Sequence, residues 1–204
     1  MATDFRFIGI SPSVDLTERR SAMLNEQTEP FTVDDIRGYK VFTALLIQSG
    51  PSGNNTIQYD SLTIGVTYRI EDISGETGFD FTNVGAPNNN IGTYFIATGE
   101  NPNSWENGRL SYNTGAPVAT VLDNTIGNVW FTYNGVGSYL CYSSNEVNYL
   151  KTLVSISQTN TITNLTATNV DDNTSLAIIN STDFTGNAVN SRIYNTPIEI
   201  RVYN

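Results

Sequence analysis

From Tyr39 onward the sequence is a succession of short runs in which apolar and polar side chains alternate, and a period of two belongs to a strand with one face buried and the other wet. The stretch NVWFTYNGVGSYLCYS, Asn128 to Ser143, has the pattern most plainly: the alternation stops at the turn formers Asn134-Gly135 and Gly137, then resumes. GVTYRIEDI sets Val66, Tyr68 and Ile70 against Thr67, Arg69 and Glu71, and PIEIRVYN sets Ile198, Ile200 and Val202 against Glu199, Arg201 and Tyr203. YKVFTALLIQ, IGTYFIATG, APVATVLDN, KTLVSISQ, NTITNLTATNV and TSLAIIN read as further strands, separated by ISGETG, GAPNNN, NGVG, VDDN and TGNAVN. Short strands with closely spaced Gly/Asn turns predict an all-β protein, an antiparallel β-sandwich or jelly-roll-like domain. No repeat of fixed period is present, which argues against a propeller or solenoid.

Composition agrees with that reading. A chain of 204 residues buries a core without disulfide support, and Asn and Thr together make up roughly a quarter of it, which suits solvated strands and tight turns better than helices. The formal net charge is -10, from 10 basic and 20 acidic residues, so a polyphosphate would be repelled and nucleic acid is not an expected partner. No apolar run approaches the length that crosses a bilayer, and MATDFRFIGISPSVD lacks the basic start and apolar core of a signal peptide, so a soluble protein is expected. Cys141 is the only cysteine and reads as a small buried hydrophobe.

The charge is unevenly spread. Residues 1–38 hold Asp15, Glu18, Arg19, Arg20, Glu26, Glu29, Asp34, Asp35 and Arg37, whereas 39–204 is sparsely charged and strand-like. The two parts are therefore read as an N-terminal anchoring arm and a β-domain. Within the arm, DLTERRSAMLNEQ suits two or three helical turns capped by Asp15, but Leu16, Met23 and Leu24 form too thin a stripe to fold without a partner surface. PFTVDDIRG is a second helix start: Thr32 caps, Asp34 and Asp35 sit at the positive end of the dipole, and Phe31 staples to Ile36. Such an arm is either a disordered leader or an anchor ordered against a neighbouring subunit. In the β-domain, GPSGNN and ENPNSWENG bracket a segment, about 51–110, that reads as an inserted module, which the slow growth of loop-closure cost with length permits.

Little in the sequence is built for catalysis. The chain has no histidine, which removes Ser-His-Asp and Cys-His chemistry and imidazole-ligated zinc, and it has no phosphate-cradling loop. No cofactor or metal is expected. Carboxylates remain, Glu71, Asp72, Asp80, Asp123, Asp171, Asp172 and Asp183, but none forms the motif of a paired acid and base, and Asp171-Asp172-Asn173 reads as a turn. Among the aromatics, Trp130 lies in a strong strand and is expected in the core or between sheets. Trp105, surrounded by turn formers in NPNSWENG, is the candidate for a glycan contact, with covering the end of a sheet as its alternative role.

The segments YKVFTALLIQSG, SYNTGAPVATVLDNTIGNVWFTYNGVGSY and TPIEIRVYN together resemble a β-domain of virion structural proteins from tailed bacteriophages, especially crAss-like phages and those infecting Bacteroidetes. The resemblance runs over most of residues 39–204. In related sequences QSG and TGAPVATVL are directly joined, while segments like DFTNVGAP and YFIATG recur. The opening SPSVDLTERRSAMLNEQTEPFTVDDI is similar to the leading segment of phage head-fibre or capsid-associated proteins. It implies a virion protein, a capsid-bound head fibre or decoration protein, that assembles as a homotrimer. Leu16, Arg19, Arg20, Met23, Leu24, Phe31 and Ile36 would anchor it to capsid proteins, and no catalytic residue is brought with the likeness. The alternative is a tail-fibre or receptor-binding module that recognises host surface glycan, and a carboxylate-dependent polysaccharide depolymerase is a third reading.

Overall fold

The structure is a computed structural model that describes residues 38–71, 78–145, 147–157, 164–169 and 175–203, all within the unit Gly38–Asn204. The expected anchoring residues Leu16, Arg19, Arg20, Met23, Leu24, Phe31 and Ile36 lie outside the described residues, as do Asp72, Asp171 and Asp172.

The fold is all-β. Its strands are β1 (Tyr39–Ile47), β2 (Asn54–Ile57), β3 (Thr67–Glu71), β4 (Tyr94–Ile96), β5 (Arg109–Asn113), β6 (Val118–Asn124), β7 (Val129–Gly135), β8 (Ser138–Ser143), β9 (Thr152–Ile156), β10 (Asn164–Thr168), β11 (Ser175–Thr182) and β12 (Thr196–Tyr203). Two short 3-10 turns, Thr82–Val84 and Tyr149–Lys151, complete the described elements. The strands form three antiparallel four-stranded sheets, ordered β6-β1-β12-β9, β10-β11-β8-β7 and β2-β5-β3-β4.

The first two sheets are the layers of a sandwich. Period-two alternation places Phe42, Ala44 and Leu46 of β1 and Ile198 and Ile200 of β12 on one inner face. Val129 and Phe131 of β7, Tyr139 and Cys141 of β8, and Leu176 and Ile179 of β11 line the other, and the rings of Phe42 and Phe131 meet across the interior at 6.0 Å. Cys141 is buried there as expected, and burial pushes its thiol well above the ordinary range. The connections β6 to β7 and β9 to β10 each join an edge strand of one sheet to an edge strand of the other.

The third sheet occupies the excursion between β1 and β6. Those two strands are hydrogen-bonded neighbours, with Ile47 opposite Val118, so the chain leaves the sandwich and re-enters it at adjacent points. Gln48, buried at the exit, donates its backbone N–H to Ile193 O at 2.9 Å and accepts from Ser191 N. The inserted sheet has a core of its own, in which Tyr68, Ile70, Phe95 and Leu110 point to one face, with Phe81, Val84 and Leu62 packed over it. GPSGNN and ENPNSWENG read as the loop-like ends of the module, yet Asn54 and Asn55 of the first begin β2, which pairs with β5, Arg109–Asn113, directly after the second. Backbone pairing overrides the poor strand propensity of Asn here.

Two hydrogen bonds from the segment Gly65–Thr67 help fasten this sheet to the sandwich. Gly65 O accepts from Ala119 N of edge strand β6 at 2.9 Å, and Thr67 Oγ1 accepts from Phe131 N of edge strand β7 at 3.2 Å. An open strand edge offers unpaired N–H groups to any passing strand, and the segment Gly65–Thr67 takes up one such N–H on each of these two edges, Ala119 N and Phe131 N. Gly65 has φ +86, and a Cβ there would lie 2.5 Å from Ala119 O, so close approach and backbone conformation both call for glycine.

Candidate functional site

The same alternation that turns Tyr68 and Ile70 toward the inserted core turns Thr67, Arg69 and Glu71 to the opposite face. On that face the register aligns Thr56 of β2, Ser111 of β5, Arg69 of β3 and Tyr94 of β4 in one row across four strands. Beyond β4 the row continues onto the sandwich. Tyr94 stacks on Trp130 of β7 at 5.7 Å with ring planes 7° apart, and Trp130 stacks on Tyr142 of β8 at 5.7 Å and 17°. Arg69 sits at the other side of Tyr94, its guanidinium 5.7 Å from the ring centroid. Asn128 Nδ2 donates to Tyr94 O at 2.6 Å and holds β4 against the β6–β7 turn.

The polar face of the inserted sheet is thus turned toward the sandwich, and between them lies a cleft of about 480 Å³ lined by Thr56, Arg69, Glu71, Arg109, Ser111 and Tyr133, among others. A second hollow of about 690 Å³ adjoins it over Trp130, Leu140 and Tyr142, and the two share Tyr94, Thr132 and Tyr133. Tyr133 is fixed from behind: Asn190 Nδ2 donates to its hydroxyl at 3.2 Å, while Asn190 Oδ1 accepts from Tyr139 at 3.1 Å and from Gly137 N at 2.8 Å.

Glu71 is the centre of the polar end. Arg69 Nη1 donates to both carboxylate oxygens at 3.0 Å, and Ser111 Oγ donates to Oε1. The Ser111 hydrogen bond first, and then the Arg69 guanidinium, hold the carboxyl below its ordinary value against the opposing effect of burial. At neutral pH Glu71 is therefore an anionic acceptor beside a cationic donor, both within reach of solvent, their side chains 23 % and 37 % exposed. It is the one carboxylate among the described residues that line the cleft, so a paired acid and base is not assembled there.

The other sequence candidates lie elsewhere. Asp80 accepts from Thr82 N, Thr82 Oγ1 and Asn89 Nδ2 through Oδ1 and from Asn103 Nδ2 through Oδ2, and these bonds hold it far below the usual carboxylate range. Asp183 organises the β11–β12 loop through Thr185 and Asn187. Among the described residues no group of three or more His, Cys, Asp or Glu is placed to hold a metal ion, and no helix is long and apolar enough to cross a membrane. Trp105 is half-buried on the inserted core, edge-on to Phe81 at 5.3 Å and 6.2 Å from Tyr59, and lines neither hollow. Trp130 belongs to neither buried core and packs between the inserted sheet and β8. Sequence reading missed the cleft, although the polar half of GVTYRIEDI, namely Thr67, Arg69 and Glu71, was its visible signal.

Fold and site together define an all-β protein in which an inserted sheet packs against one side of a sandwich and leaves a polar, tyrosine-lined cleft at the joint. No family model, no curated protein and no solved structure matches the chain.

Proposed function

We propose that the chain is a non-catalytic structural protein of a bacteriophage virion, a head-fibre or decoration protein held on the capsid through residues 1–38 and assembled as a homotrimer. The likeness of YKVFTALLIQSG, the TGAPVATVL segment and TPIEIRVYN to phage virion proteins supports this reading. The observation that carries it is that the protein's own inserted sheet is tied to two of the sandwich's edge strands, β6 and β7, through Gly65 and Thr67. A protein displayed in many copies outside a cell must persist without pairing with its neighbours, and engaged edge N–H groups and uncharged hydrogen-bonding faces serve that need. Phage carrying a deletion of residues 1–38 should assemble particles that lack this protein. Particles that retain it at normal copy number would refute the anchoring role, and its absence from purified wild-type virions would refute the whole reading.

A second reading, a tail-fibre or receptor-binding module for host surface glycan, is favoured by the cleft between β3, β5 and β7. It requires saturable adsorption of the purified chain to host cells. Adsorption no greater than that of an unrelated acidic β-protein would exclude it.

A further inference from the structure

We infer that the cleft is a binding site for an uncharged oligosaccharide, with vicinal hydroxyls of one sugar held by Arg69 and Glu71 and the adjoining rings laid on Tyr133 and along the edges of the Tyr94–Trp130–Tyr142 stack. This rests on the receptor-binding reading and names the ligand class and the residues.

The chemistry of the polar end selects a diol. Neighbouring hydroxyls on a sugar both donate and accept, and Glu71 and Arg69 offer an acceptor and a donor side by side. Arg69 engages Glu71 through Nη1, and Arg109 lines the same cleft, opposite Glu71 in the register. Thr56 and Thr132 add hydroxyls to the walls. The net charge of -10 of the whole chain works against a long polyanion, whereas the cleft itself sets Arg69 and Arg109 against Glu71, so the acidic sugar is the competitor that the test must exclude.

The dimensions and rigidity fit an oligomer better than a single ring. Hollows of about 480 and 690 Å³ share a wall, and each lies within the few hundred to about a thousand Å³ usual for ligand sites. Tyrosine and tryptophan present apolar rings with a polar edge, the combination that sugar rings require. The lining side chains stand on strands, and the joint at Gly65 and Thr67 holds the two walls in register, so little ordering is needed on binding.

The test is calorimetric titration of the full chain with defined probes: maltotriose, mannotriose and galactotriose as neutral sugars, and a hyaluronan tetrasaccharide as an acidic one. We expect saturable binding of at least one neutral trisaccharide, weakened about tenfold or more by Glu71→Gln and by Ser111→Ala, the lower end for a hydrogen bond to a charged group. Lys151→Gln, on the exposed Tyr149–Lys151 turn and in the lining of neither hollow, should leave affinity unchanged. Thermal midpoints are measured alongside, and Thr132→Val, in the wall common to both hollows, replaces any variant that unfolds. Failure of all three neutral sugars, binding confined to the acidic probe, or binding indifferent to these substitutions would each overturn the inference. Host-cell adsorption by the same variants separates the two claims: adsorption that persists without neutral-sugar binding sinks this inference alone, whereas no adsorption by the wild-type chain sinks the receptor reading itself.

Discussion

Replacement of Thr67 by valine isolates the bond that ties Phe131 of the β7 edge to the inserted sheet. The two side chains are nearly isosteric, so the substitution removes a hydroxyl and leaves the packing of β3 in place. Thr67 is 6 % exposed and Phe131 1 %, and Phe131 N has its acceptor in Thr67 Oγ1 at 3.2 Å. Without that oxygen a buried N–H loses its partner, a cost of about 1–3 kcal/mol, offset in part by the added methyl, worth up to about 0.8 kcal/mol. The net loss lies between about 0.2 and 3 kcal/mol, and its middle value of about 1.5 kcal/mol lowers the thermal midpoint of a chain of this length by about 3–6 °C. Thr67→Ser keeps the oxygen and gives up only a methyl, so it should lose less than about 1 kcal/mol. Circular dichroism melts give the midpoints, and native-state hydrogen exchange followed by NMR gives the protection of the Phe131 amide. A Thr67→Val protein that melts with the wild type and still protects Phe131 would show that this bond does not tie the edge to the inserted sheet.

Gly65→Ala should cost about 2–3 kcal/mol, from a left-handed backbone and the displaced Ala119 bond, and lower the thermal midpoint by about 4–12 °C; a shift under about 1 °C would contradict the joint as described. Because the folded value of Glu71 is lowered, its contribution to stability is fully present above the ordinary 4.5 and is lost as pH falls through the folded value. The stability gap between the wild type and Glu71→Gln, measured by urea unfolding, should therefore narrow on acidification below that point. Asp183, held down to about 2 by the Thr185 and Asn187 donors, should show a carboxyl-carbon NMR titration midpoint near that value, and a midpoint at the ordinary 3.8 would contradict the loop. The thiol of Cys141 should react with a disulfide reagent only as fast as the protein opens, with rapid labelling of the native state as the contrary result.

The alternation in the sequence determined the fold class and most of the strands, because a period of two places every second side chain on one face whatever the neighbours are. It also assigned Thr67, Arg69 and Glu71 to a face apart from Tyr68 and Ile70, and it separated Trp130 from Val129 and Phe131, but it did not say which side is buried: Trp130 is expected in the core or between sheets, and Val129 and Phe131 are the residues that line the sandwich core. Two strands escaped it. Asn54–Ile57 and Arg109–Asn113 are stabilised by each other's backbone, and backbone hydrogen bonds leave no mark in side-chain pattern. Which strands become neighbours was likewise decided only in three dimensions: β1 and β6 pair across the whole inserted sheet, and nothing local to Ile47 or Val118 announces it. The same holds for the cleft, since its row from Thr56 through Ser111, Arg69, Tyr94 and Trp130 to Tyr142 draws on six strands that meet only once the joint at Gly65 and Thr67 has formed. A polar face in a sequence reads as a face turned to water, and only the tertiary structure shows that this one is turned to another part of the same molecule.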